Sequence, residues 1–223
     1  MAAADSTRPA AAAAKKFVFD FGAVLFDWRP PVLLRQQLPQ RVVDEASAAH
    51  WVRQFFQDYG GDWGAFDGGT LAADELVARI TARTGLAPAE VQAVVDAVPQ
   101  ALAPLPDSVA LLARLRQAGQ PLYYLSNMPA PYADHLERSH HFVGWFDDGV
   151  FSSRVKLSKP APAIFALAQQ RFGHPGEELV FLDDHPANVA AARAAGWNAL
   201  LFRDAAQAEA DLRSAGWWPS ALA

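Results

Sequence analysis

Three places in the chain put chemically active side chains directly after short apolar runs, and a fourth puts a lysine before a proline. Asp20 closes Phe-Val-Phe-Asp, with Gly22 just beyond it. Ser126 and Asn127 close Tyr-Tyr-Leu-Ser-Asn, Lys159 stands in Lys-Leu-Ser-Lys-Pro, and Asp183 and Asp184 close Val-Phe-Leu-Asp-Asp. Brought together, these are three carboxylates, one ammonium and one hydroxyl. Like charges gathered in a partly buried place require compensation, so the three aspartates imply a bound cation. All-oxygen ligation points to Mg²⁺, which keeps several waters and completes its octahedron with phosphate oxygens of a substrate. The chemistry that follows is phosphoryl transfer, with Lys159 and the dipoles around Ser126 holding the remaining phosphate oxygens.

Such residues must be positioned by strands, because ligands of open parallel sheets bind beyond the carboxyl ends of the strands. The run 17–21, stopped by Gly22, reads as a buried strand. Residues 122–125, 179–182 and 199–202 read the same way, with a weaker candidate around Val150 and Phe151. Helical spacing separates them: Val109, Leu112 and Leu115 before Gly119, then Ile164 to Phe172 before Gly173, and Val189 to Ala195 before Gly196. Strands alternating with helices imply an α/β fold, a doubly wound, Rossmann-like parallel sheet.

Residues 28–103 interrupt that alternation with helical patterns alone and form the candidate second lobe. Val91, Val94, Val95 and Val98 follow helical spacing behind Pro88 as a first-turn residue. The proline-flanked run 99–106 is expected to return the chain to the sheet. Residues 58–69, with five glycines around Trp63 and Phe66, are expected to be a mobile loop. The expected organisation is a disordered tail at 1–14, a catalytic core of 15–27 and 104–223, and a helical cap at 28–103.

Composition bounds the rest. A chain of 223 residues accommodates one well-buried core with an insertion. A net charge of −5 gives no basic footprint for nucleic acid, and no apolar run reaches the length of a membrane span. The absence of cysteine excludes disulfides and thiolate metal sites, and fits a cytoplasmic protein.

With these residues in order, the chain resembles the haloacid dehalogenase superfamily across nearly its whole length. The resemblance rests on Phe-Asp-Phe-Gly-Ala-Val-Leu-Phe-Asp, Leu-Ser-Asn, Lys-Pro-Ala-Pro-Ala-Ile-Phe and Asp-Asp-His-Pro-Ala-Asn-Val-Ala-Ala-Ala. It implies that Asp20 is a nucleophile, that Ser126 with its neighbour Asn127 binds phosphate, and that Lys159 neutralises Asp20 and phosphate. It also implies Mg²⁺ held by Asp20, the Gly22 carbonyl and Asp184, with Asp183 assisting. The small helical insertion resembles the cap of the family's first class. The implied activity is a phosphatase acting on a small phosphorylated metabolite, a sugar phosphate among the candidates, as a monomer or homodimer.

Two positions depart from the family pattern. Gly22 stands where most of these phosphatases carry a second aspartate as general acid and base, a feature shared with the bacterial glucose-1-phosphate phosphatases that the chain resembles. Ala161 stands where an acidic residue is common. Simpler readings accompany each residue: Asp20 as a turn or cap residue, Ser126 and Asn127 as an N-cap pair, Lys159 as a loop cation. Asn188 reads as a residue that caps or begins the following helix, His185 as an exposed loop histidine, and Asp27 as either turned toward the crevice or a cap of the next helix. The aromatics between Trp28 and Phe66 read as core or seam, which does not separate a sugar pocket from an apolar one. Two other functions compete: a 2-haloacid dehalogenase using Asp20 on carbon, against which the paired Asp183 and Asp184 argue, and a non-catalytic binding module.

Overall fold

The computed structural model describes residues 15–222, so the expected tail at 1–14 lies outside the described residues. Five strands, β1 Lys16–Phe19, β2 Leu122–Ser126, β3 Asp148–Phe151, β4 Leu179–Asp183 and β5 Asn198–Leu201, pair in parallel in the order β3-β2-β1-β4-β5. Phe17 lies beside Leu122 on one side and Val180 on the other, which makes β1 the central strand. Its side chains alternate between two covered faces, so after Lys16 every position is apolar. Burying Phe17, Val18 and Phe19 completely, at roughly 1.5–3 kcal/mol each, fixes that central place.

Between β1 and β2 run α1 Pro30–Gln37, α2 Glu45–Phe56, α3 Gly61–Asp67, α4 Ala73–Thr84, α5 Pro88–Ala101 and α6 Pro106–Gln117. The remaining helices are α7 Ala130–Ser139, α8 Ser152–Val155, α9 Pro162–Phe172, α10 Pro186–Ala194 and α11 Ala205–Ser214. Phe17, Phe19 and Leu182 face α6 and α11 through Leu111, Leu115, Ala208 and Leu212. Val18, Leu125 and Phe181 face α9 and α10 through Ile164, Phe165, Val189 and Ala192. The doubly wound α/β sheet expected from the sequence is therefore present, with all five strands where the apolar runs placed them.

Two stretches differ from expectation. The glycine-rich run 58–69 contains α3, because its glycines serve close approach: a Cβ on Gly64 would meet the Tyr59 carbonyl oxygen at 2.6 Å, and one on Gly69 would meet that of Ser153 at 2.5 Å. Gly69 also has φ of +67°, which ends the helix. The second difference is at Pro99, which does not start the return to the sheet, since α5 continues through it to Ala101. A proline there leaves the carbonyl four residues earlier without its helical donor. That carbonyl, on Val95, accepts the Tyr132 hydroxyl of α7 at 2.8 Å instead.

Candidate active site

Strand order reverses on either side of β1, and at such a switch point a crevice opens beyond the carboxyl ends of the strands. Asp20 leaves β1 at this crevice. Its N–H still donates to the Leu182 carbonyl at 2.9 Å, and its Oδ1 accepts the Phe21 N–H at 2.7 Å, so both main chain and carboxylate are oriented. Ser126 is the last residue of β2 and is buried; Asp183 is the last of β4 and 0% exposed. Asp184, one residue on, is exposed toward the crevice.

Lys159 connects the two strand ends. Its Nζ lies 2.6 Å from Asp183 Oδ2 and 2.9 Å from Asp20 Oδ1, fully buried between them. A chain segment with no place in the sheet must hold this ammonium, and Asn127 supplies the hold. The Asn127 amide donates to the Lys159 carbonyl and accepts the Lys159 N–H, both at 2.9 Å. Its amide is thus engaged with the main chain of Lys159, a role that sequence spacing does not show.

Asp183 is enclosed by donors: Lys159, the His185 N–H at 2.8 Å, and the Asn188 amide at 3.0 and 3.1 Å from its two oxygens. Asn188 lies in the first turn of α10, as expected, and turns its side chain to Asp183, while His185 caps α10 by accepting the Ala187 N–H. Asp27 faces Arg29 at 2.5 Å and caps no helix.

Charge is unbalanced here. Burial raises the Asp20 carboxyl, Lys159 opposes it, Asp183 and Asp184 add to it and the Ser126 hydroxyl lowers it, with a net rise to about 7. Burial and Asp183 likewise raise Asp184, while Lys159 is held charged because Asp183 and Asp20 outweigh its own burial. One oxygen from each of Asp20, Asp183 and Asp184 lies within 4.8 Å of the others, a donor set suited to a hard divalent cation. A cation would oppose the burial and the Asp183 and Asp184 repulsion that raise Asp20.

Beyond these polar groups lies a cavity of about 190 Å³. Trp28, Trp63, Val98, Leu102, Met128 and Tyr132 form much of its wall. The Trp28 indole donates to the Tyr59 hydroxyl at 2.7 Å, and the Tyr132 hydroxyl is held by Val95, so two polar atoms of that wall are already partnered. Asp67 also faces the cavity, a carboxylate that sequence reading passed over. The available signal was its spacing from Trp63 and Phe66, which puts all three on one face of a helix.

Residues 8–196 match the family model of the haloacid dehalogenase-like hydrolases. The chain is similar to a sesquiterpene phosphatase, astK, of Aspergillus oryzae, at 26% identity over 89% of this chain and 95% of that protein. It is also similar to an (S)-2-haloacid dehalogenase of Pseudomonas putida, at 33% identity over 43% of each. In three dimensions it resembles a family enzyme of Bacteroides thetaiotaomicron solved with magnesium and inorganic phosphate, with TM-score 0.66 and 19% identity over 84% of this chain and 93% of that one.

Proposed function

The chain belongs to the haloacid dehalogenase-like hydrolase family, and from that premise we propose that it is a magnesium-dependent phosphomonoesterase whose nucleophile is Asp20. The observation that carries this reading is the carboxylate cluster at the sheet switch point, with only Lys159 to balance it. Asp20, Asp184 and the Gly22 carbonyl would hold the cation, with Asp183 completing its surroundings. A divalent cation there supplies neutralisation of charge on the transferring phosphoryl group. It also allows Asp20 to be ionised at neutral pH, as a nucleophile must be.

The Asp20 carboxylate then attacks phosphorus, and the ester oxygen leaves on the far side. Lys159 and the Ser126 hydroxyl stabilise charge on the phosphoryl oxygens, while Asn127 and Asp183 hold Lys159 in place. Water then hydrolyses the aspartyl phosphate and releases phosphate. Residues 28–103 act as a cap over a core of 15–27 and 104–222, and their aromatic side excludes water from the crevice.

The wall argues for an apolar alcohol as the leaving group. A sugar would require several hydrogen-bond partners, whereas much of this wall is aromatic and aliphatic and its Trp28 and Tyr132 polar atoms are already bonded. Similarity to a sesquiterpene phosphatase supports the same substrate class. The test is a panel of prenyl, aryl and sugar phosphates with Mg²⁺ and with a chelator. Phosphate release from prenyl or aryl esters that requires Mg²⁺, and is lost in Asp20→Asn, is expected. Preference for sugar phosphates would overturn the substrate class. Halide release from 2-haloacids that persists in the chelator would replace the phosphatase by a dehalogenase.

A further inference from the structure

Phosphoryl transfer to Asp20 leaves an alkoxide, and an alkoxide leaves slowly unless a proton reaches it. Gly22 has no side chain to supply one, so the donor must come from elsewhere on the cavity wall. The other ionisable groups lining it divide by their surroundings. Lys159 is enclosed by two carboxylates, Asp184 stands in the cation cluster, and Asp58 and His185 are exposed. The Tyr132 hydroxyl donates its hydrogen bond to the Val95 carbonyl. The Tyr59 hydroxyl, which accepts the Trp28 N–H, is pushed up to about 12 by burial and is too weak an acid for this step. Asp67 remains: it is 6% exposed, lines the cavity with Asp20 and Gly22, and forms no ion pair among the described residues.

Its main chain is held from outside α3, by residues that follow β2 and β3. The Ser152 hydroxyl accepts the Met128 N–H at 2.9 Å and donates to the Asp67 carbonyl, tying the end of α3 to the loop after β2. Lys156 donates to the Gly69 carbonyl two residues later. The main chain that carries Asp67 is therefore tied to the segments that follow β2 and β3. We propose, resting on the phosphatase reading above, that Asp67 is the general acid and base of this active site, replacing a carboxylate that position 22 lacks.

The proton accounting closes. As Asp20 bonds to phosphorus and the ester P–O bond breaks, the proton of the Asp67 carboxyl passes to the departing oxygen and the alcohol leaves neutral. The resulting Asp67 carboxylate takes a proton from water as that water attacks phosphorus. The Asp20–phosphorus bond breaks, Asp20 returns to a carboxylate, and Asp67 is again protonated. Burial holds Asp67 well above the usual carboxylate range, the Asp20 charge adds to this, and the Trp63 indole opposes it. A carboxyl protonated near neutral pH is what the first step requires.

The test compares Asp67→Asn with the wild type in single turnovers over a graded series from alkyl phosphates to p-nitrophenyl phosphate, at saturating Mg²⁺. Asn keeps the shape but transfers no proton. Expected is a loss of about a hundredfold to ten-thousandfold on alkyl phosphates and a change of only a few-fold on p-nitrophenyl phosphate, whose anion leaves unaided. The retained p-nitrophenyl turnover also shows that the variant folds. The phosphoenzyme formed from that ester should persist longer in the variant, because its hydrolysis lacks the base. An equal loss on every ester, or no loss on any, would overturn the proposal. If wild-type protein hydrolyses no member of the series, the phosphatase reading itself falls, and the assignment of Asp67 falls with it.

Discussion

The two sides of the crevice neutralise buried carboxylates in different ways. At the strand ends, Asp20 and Asp183 share one lysine ammonium, at 2.9 and 2.6 Å, and Asp183 is surrounded by further donors. On the helical side, Asp67 is as deeply buried but has only an indole to oppose its protonation. A buried charge without a partner is costly, so one side is built to carry charge and the other to carry a proton. The difference separates a charged nucleophile and cation site from a neutral acid within one cavity.

The largest expected effect comes from removing the ammonium. Lys159→Met leaves Asp20 and Asp183 buried without their counter-charge, a change that typically costs about 3–5 kcal/mol. Urea unfolding in a chelator should show a loss of that order, accompanied by loss of turnover. Unchanged stability would mean that the strand-end carboxylates do not depend on Lys159, and the comparison would fail on its charged side.

Next in size is the pH dependence of the metal-free protein. The Asp20 carboxyl rises from 3.8 to about 7 on folding, so the folded chain keeps a proton that the unfolded chain has released. Stability is therefore greatest below the ordinary carboxylate range and falls as pH rises toward about 7, by an amount on the order of a few kcal/mol at most. Asp67 contributes with the same sign. Surface carboxylates held by Ser47, Arg171, Lys16 and Arg114 are lowered instead, so their stabilisation is already complete above pH ~4.5. Urea midpoints between pH 4.5 and 7.5 should fall in chelator and recover with Mg²⁺, most strongly at the upper end. Midpoints that stay level in chelator would remove the charge imbalance from the argument.

Asp184→Asn should have a smaller effect, since it removes one charged oxygen from the cation site and leaves Asp20 and Lys159 in place. We expect the Mg²⁺ concentration for half-maximal activity to rise by about ten- to a hundredfold. An unchanged requirement would take Asp184 out of the cation site.

The same comparison explains what the sequence made legible. Strand ends are visible because an apolar run that stops at Asp, Ser or Asp-Asp marks both the element and the polar residue at its mouth. β1, β2 and β4 and the gathering of Asp20, Ser126, Asp183 and Asp184 follow from that pattern, whereas Lys159 comes from a segment outside the sheet. The helical side is less legible, because its residues meet through packing and not through register. The glycines of residues 58–69 look like loop punctuation when read in a line, yet Gly64 and Gly69 are small so that other backbone can approach. Pro99 likewise looks like a helix stop, and only the Tyr132 hydroxyl from another helix explains why α5 continues. Asn188 and Asn127 look like caps for the same reason: their partners Asp183 and Lys159 are on other elements.

The finest test of the protonated side is Trp63→Phe. Trp63 packs edge-on against Phe56 at 4.5 Å and against Phe66 at 5.9 Å, and phenylalanine keeps an aromatic ring in that stack. What it removes is the indole N–H, the one group that lowers the protonation range of Asp67. Without it the carboxyl holds its proton to still higher pH, which makes it a weaker acid toward a departing alkoxide. If Asp67 is the donor, the high-pH limb of kcat/KM reports its loss of that proton, so the limb should move to higher pH in the variant. Turnover of alkyl phosphates should fall by a few-fold, while p-nitrophenyl phosphate should be nearly unaffected. A loss equal for both esters with an unmoved limb would reduce Trp63 to a packing residue. A limb that moves to lower pH would contradict the sign of the indole contact, and with it the picture of Asp67 as a carboxyl kept neutral by its surroundings.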